Sequence, residues 1–151
     1  MEEKIYSEYC AILAEELQPA MGCTEPIAVA YCAALARKTL GCLPEDVQVY
    51  ASANIIKNVK SVVVPNTGGQ RGLTVAAAAG IVAGDADAKL QVLAGITPEQ
   101  VEQIAGYEKR GIVHVHPSEK DYIFDIQVRV NAAGHTAFAE IAGFHTNVIR
   151  L

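Results

Sequence analysis

The sequence predicts an α+β fold: an antiparallel sheet packed against buried apolar helices, in a single domain spanning 1–151. Three observations lead there. The stretches Ile27–Ala36 and Leu73–Val82 are apolar almost all round, as buried helices are. The segment 122–131 alternates, with Tyr122, Phe124, Ile126, Val128 and Val130 on one side and Asp125, Gln127 and Arg129 on the other. The chain has 151 residues, 51% hydrophobic and 19% charged, which suffices for one core and is far from a disordered composition.

The elements follow in order. Residues 3–17 predict an amphipathic helix, with Ile5, Tyr9, Ile12 and Leu13 at helical spacing and Tyr6, Cys10 and Leu17 widening the stripe. Pro19 is expected to end it. A short loop then leads to a helix over 26–40. Pro26 suits its first turn, Thr24 or Glu25 can cap it, Arg37 and Lys38 suit its last turn, and Gly41 suits its stop. Residues 46–56 predict a strand, and Ser61–Val64 a short β-like run halted by Pro65. The glycine-rich segment Asn66–Gly72 opens the helix 73–82, and a smaller helix is expected over 86–93. Thr97 and Gln100 form a capping box for a helix over 97–105. Strands over 112–116, 122–131 and 135–151, the last two joined by a turn near Asn131–His135, complete the antiparallel sheet.

Several classes of function are excluded. The net charge of −5 gives no basic surface for nucleic acid, and Trp is absent. The longest uncharged apolar stretch, Gly72–Gly84, is shorter than the ~18 residues of a membrane span. The N-terminus lacks the basic and apolar regions of a secretory signal. Cys10, Cys23, Cys32 and Cys42 form no C-x-x-C pair, and a cytoplasmic location with free thiols is expected. Cys10 and Cys32 fall on apolar helical faces and read as core; Cys42 reads as a loop residue.

Three places carry candidate chemistry. Cys23 stands just before a buried helix, where unpaired N–H groups and the helix dipole favour a thiolate nucleophile or metal ligand. The plainer reading is a small buried residue beside a cap. The turn Asn66-Thr67-Gly68-Gly69, with Arg71 behind it, can cradle a small carboxylate; it matches no nucleotide-binding pattern. The plainer reading is an ordinary strand-to-helix turn. His145, with Thr146 and Asn147, sits at a strand end and can act as acid, base or substrate contact. Asn54, Lys57 and Asn58 add polar groups, and a buried Lys57 would have a lowered pKa; the plainer reading is a solvated loop. His114 and His116 have metal-like spacing but no third ligand, so an exposed strand face is the expectation.

Taken together, PAMGCTEPIAVAY, NIIKNVKSVVVPNTGGQRGLTVAAAAGIVAGD and IAGFHTN resemble the L-cysteine desulfidase family, which is grouped with the alpha chain of iron–sulfur L-serine dehydratases. The resemblance runs from about residue 4 to the end and looks like the N-terminal part of longer proteins. It implies a lyase that eliminates the β-substituent of an amino-acid substrate, giving pyruvate, ammonia and sulfide or water. It implies a 4Fe-4S cluster held by three cysteines, of which Cys23 is the first. The other two are expected in a missing C-terminal part or companion chain, so no cluster is expected on this chain alone. Substrate contacts are expected from Thr24, Glu25, Asn66, Thr67, Gly68, Gly69 and Asn147, and the α-proton base from Lys57 or His145. Cys23 and the Asn66–Gly69 turn are expected in one pocket, at an apolar edge open to the missing part or to a second copy in a homo-oligomer. The alternative is a non-catalytic module that binds a small amino acid or carboxylate.

Overall fold

The computed structural model describes residues 3–17 and 22–151. Helices α1 (Glu3–Glu16) and α2 (Thr24–Leu40) precede strand β1 (Asp46–Ala51). Helices α3 (Ala53–Val59), α4 (Leu73–Ala83) and α5 (Pro98–Lys109) follow, then strands β2 (Val113–Pro117), β3 (Asp125–Ala132), β4 (His135–Ala142) and β5 (Val148–Arg150). The stop expected at Pro19 lies outside the described residues.

The fold is α+β. The five strands form one sheet in the order β2-β1-β3-β4-β5. One pairing departs from the antiparallel expectation: β1 and β2 run parallel, with Val49 opposite Val115. Three helices intervene between these two strands and return the chain to the same end, which a hairpin cannot do. The β3–β4 hairpin is antiparallel, pairing Val128 with Ala139.

The core lies between one face of the sheet and α2, which packs on β3, β4 and α4. Val47, Val49, Ala51, Ile126, Val128, Val130, Ala139 and Ile141 point inward and are buried. Ten residues of α2, from Pro26 through Ala36, are buried, as its apolar run demands. Gly41 ends it in the left-handed region, its N–H bonding Arg37 O. The capping box of α5 forms as expected, with Thr97 Oγ1 accepting from Gln100 N and Gln100 Oε1 from Thr97 N.

Local corrections have local causes. The strand expected over 46–56 ends at Ala51, and Ser52 opens α3, which buries Ile55 and Val59 one helical turn apart. Ser61–Val64 forms only an isolated bridge, Val63 to Arg71. The small helix is a 3-10 turn over Ala86–Gln91. Tyr122 lies outside β3 and is exposed. Cys10 is exposed rather than core, as are Ile5, Tyr6, Tyr9, Ile12 and Leu13 of its helix and Leu17 just after it. Periodicity identifies an apolar face but not what it packs against.

Tyr107 ties α5 to the loop that leads into β1. Its buried hydroxyl donates to Pro44 O at 2.7 Å, and burial chiefly pushes its pKa up to about 12. A raised folded value means that the stability it contributes is complete below pH ~10 and is lost as the pH rises toward 12. Tyr107→Phe strands the Pro44 carbonyl, and urea titration at pH 7 is expected to show a loss of about 1–3 kcal/mol. The decline between pH 10 and 12 should be smaller in the variant; an unchanged profile would reject this assignment.

Candidate functional site

The site is built where one end of the sheet meets the start of α2. Cys23 is the N-cap of α2 and an exposed free thiol, with no side-chain capping bond. Thr24 and Glu25 form the first turn and are half-buried. Asn58, on α3, donates from Nδ2 to Glu25 Oε1 at 3.2 Å. His145 lies in the β4–β5 connection, its ring tilted 53° against Phe124 with centroids 4.5 Å apart. Its Nε2 is buried and has no hydrogen-bond partner among the described residues.

Burial lowers the His145 pKa, and the nearby Glu25 carboxylate opposes the shift. The imidazole is therefore held toward its neutral form. A lowered folded value contributes stability above the unfolded pKa of ~6.5 that is lost as the pH falls through the folded value. Thermal melts below pH 6.5 are expected to fall less steeply for His145→Gln than for the parent. Parallel curves would show that His145 does not titrate this way.

The other expected residues are placed differently. Lys57 is exposed on α3, not buried, with no hydrogen bond or ion pair among the described residues. Asn54 is exposed on the same helix. Asn147 donates from Nδ2 to Ala142 O at 2.8 Å and thereby closes the turn that carries His145. The turn after Pro65 is held from within. Thr67 is fully buried and its hydroxyl donates to Val64 O at 2.7 Å, while Asn66 donates to Leu93 O. The side chains are thus occupied, and the backbone is what this turn can offer a ligand. Arg71 is spent on Ser61 O at 2.7 Å.

The turn adjoins the start of α2 through a close contact: a Cβ on Gly22 would lie 3.3 Å from Pro65 Cγ. Gly22, at φ 153°, supplies the backbone freedom that this approach needs. A cleft of about 500 Å³ beside the turn is lined by Asn66, Gly68, Ile96, Pro98, Val101 and Glu102. It faces α5, and Cys23 is not among its walls. Exposed Ile123 and Phe144 flank Phe124 and His145 in sequence, so this end does present apolar surface.

Cys32 and Cys42 do not join Cys23. Cys32 is fully buried in the core, its thiol 3.3 Å from Ala139 O, and burial pushes its pKa far up. The seventeen residues of α2, at ~1.5 Å each, put roughly 25 Å between Cys23 and Cys42. Among the described residues no three His, Cys, Asp or Glu side chains are grouped to hold a metal ion. His114 is exposed, and His116 Nε2 lies 2.6 Å from Gln48 Oε1 with its ring stacked on Tyr50. By itself this donor set does not fit a cubane cluster, which takes three or four convergent thiolates.

One feature of this end of the sheet had little sequence signal. Asp125 and Glu140 are fully buried on the sheet face away from α2. Asp125 Oδ2 accepts from Ser118 Oγ and Gln127 Nε2, while Lys120 pairs with Glu140 and Arg150 Nη1 lies 3.7 Å from it. Asp125 Oδ1, Glu140 Oε2 and Ser52 Oγ have no partner among the described residues.

The chain is 44% identical over 150 residues to a UPF0597 protein of Desulfitobacterium hafniense, covering 99% of this chain and 35% of the relative. The chain is similar to UPF0597 proteins. A second, from Treponema denticola, is 40% identical over 151 residues, covering all of this chain and 35% of the relative. A third, from Shewanella putrefaciens, is 45% identical over 142 residues, covering 94% of this chain and 33% of the relative. The chain thus spans about a third of the length of the UPF0597 relatives it matches. No family model matches it. No described helix is long and apolar enough to cross a membrane.

Proposed function

We propose that this chain is the substrate-contacting part of an iron–sulfur-dependent lyase of the L-cysteine desulfidase or L-serine dehydratase kind. The observation that carries the reading is the meeting of Cys23, Glu25, Asn58 and His145 at one end of the sheet. The quoted motifs, which contain all four of these residues, support it. In a full-length relative, the residue at the position of Cys23 would supply one thiolate to a 4Fe-4S cluster, and the other ligands would come from residues beyond those matched here.

The chain's own residues divide the work as follows. The Glu25 carboxylate, held by Asn58, receives the α-ammonium of the amino acid. Backbone N–H groups at the start of α2 and in the adjoining glycine-rich turn receive the α-carboxylate. His145 Nε2, buried and unpartnered, takes the α-proton. The Cα–H electron pair becomes the Cα–Cβ double bond, and the Cβ–S or Cβ–O pair leaves with sulfide or hydroxide. The aminoacrylate tautomerises and is hydrolysed to pyruvate and ammonium. Lys57, exposed on α3, is the alternative base.

The test is anaerobic reconstitution of the full-length Desulfitobacterium hafniense relative, and of this chain beside it, with iron and sulfide. Pyruvate release from L-cysteine and from L-serine is then measured. Pyruvate from either amino acid with the full-length protein is expected. Saturable amino-acid binding without pyruvate would overturn the lyase and favour a non-catalytic binding module.

A further inference from the structure

Some 20 Å from Cys23 along α2, a cleft of about 430 Å³ opens between the C-terminal turns of α2, the end of α4 and α5. Its walls are Arg37, Leu43, Val82, Gln103, Tyr107 and Arg110. Leu43, Val82 and the Tyr107 ring make an apolar floor. Neither guanidinium has an ion pair or hydrogen bond among the described residues, although the chain is acidic overall. Arg110 lies over the Tyr107 ring, 5.4 Å from its centroid. Arg110 and, more weakly, Arg37 also act electrostatically on the Tyr107 hydroxyl, with Asp46 acting the opposite way.

Two arginines without carboxylate partners around an apolar floor define a ligand chemistry. The guanidinium fork matches a carboxylate and binds it through paired hydrogen bonds. The floor rewards a short hydrocarbon body, and the volume falls within the range of small-molecule sites. The Tyr107 hydroxyl is engaged with Pro44 O, so the floor offers no competing donor. We propose that this cleft binds a small carboxylic acid with an apolar body, its carboxylate between Arg37 and Arg110. The site is separate from the lyase reading and does not depend on it.

The experiment titrates 3-phenylpropionate and isovalerate into the chain by calorimetry and by NMR, with 3-phenylpropionamide as the neutral control. Saturable binding of an acid with a Kd of about 1 mM or tighter is expected, with shifts centred on Tyr107 and Arg110. Arg37→Gln and Arg110→Gln should each weaken it at least about tenfold, with melting temperatures near that of the parent to show that the fold is kept. Arg110→Lys should recover only part of the affinity, because an ammonium lacks the fork. Absence of binding by both acids, equal binding of acid and amide, or unchanged affinity in both glutamine variants would each overturn the proposal. So would shifts confined to the Cys23 end of α2.

Discussion

Replacing Gly80 by alanine is expected to destabilise the chain by about 3 kcal/mol or more. The reason is a close crossing of α2 and α4, both lined there by small residues. A Cβ on Gly80 would lie 2.0 Å from Ala30 O and 2.7 Å from Ala30 C. Those atoms are helix backbone, so no rotamer change relieves the clash and the two helices must part. Parting them opens a core that includes Ile27, Val29 and Ile81, all fully buried. Helix propensity alone favours alanine over glycine by about 1 kcal/mol, so the sign of the effect separates packing from propensity. At about 2–4 °C per kcal/mol, the melting temperature should fall by roughly 6–12 °C. Gly80→Val should leave little folded protein, given total stabilities of about 5–15 kcal/mol. A variant as stable as the parent would mean that the helices do not cross this closely.

The second large effect concerns Cys23. In the reconstituted full-length relative, substituting serine at the position aligned with Cys23 should lower pyruvate release by more than about 100-fold, beyond the 10–100-fold cost of losing a supporting partner of a metal ligand. The same exchange at Cys32 should act on stability first. Its thiol is buried against Ile126 O and Ala139 O and is kept protonated by that burial. Substitution of His145 by glutamine should cost about 10²–10⁴-fold in rate with the iron content unchanged. Lys57→Gln should cost little. Should the Lys57 variant lose the activity and the His145 variant keep it, the base has been assigned to the wrong side chain. For the isolated chain, iron and acid-labile sulfide well below one cluster are expected. About four irons per chain, lost on Cys23→Ala, would show that the missing ligands lie within these residues after all.

How far the sequence reaches differs from element to element. The capping box at Thr97 and Gln100 and the stop of α2 at Gly41 form as read, because each involves groups within a few residues of one another. The alternation of 122–131 identifies β3 but also takes in Tyr122, since a two-residue period does not mark its own end. The run 46–56 misled for a related reason. Ile55 and Val59, four residues apart, fit a strand period and a helix period equally well over so short a stretch, and their packing against the core decided for a helix.

The site shows the same division. That Cys23 stands at a helix start was determined by the sequence itself, through Pro26, the apolar run behind it and Gly41 at the far end. That Asn58 reaches Glu25, thirty-three positions away, was decided only by how α3 settles beside α2. The same holds for the seat of His145 against Phe124, the contact of Gly22 with Pro65, and the placing of Arg37 and Arg110 around one cleft. The sequence by itself determined the helix starts and stops, the hairpin and the buried runs, all of them products of interactions a few residues long. The tertiary structure alone decided that β2 lies parallel to β1, that α1 is exposed, and that Asp125 and Glu140 are buried on the far face of the sheet. Those outcomes depend on which surfaces meet when one core closes, and no local preference encodes that choice.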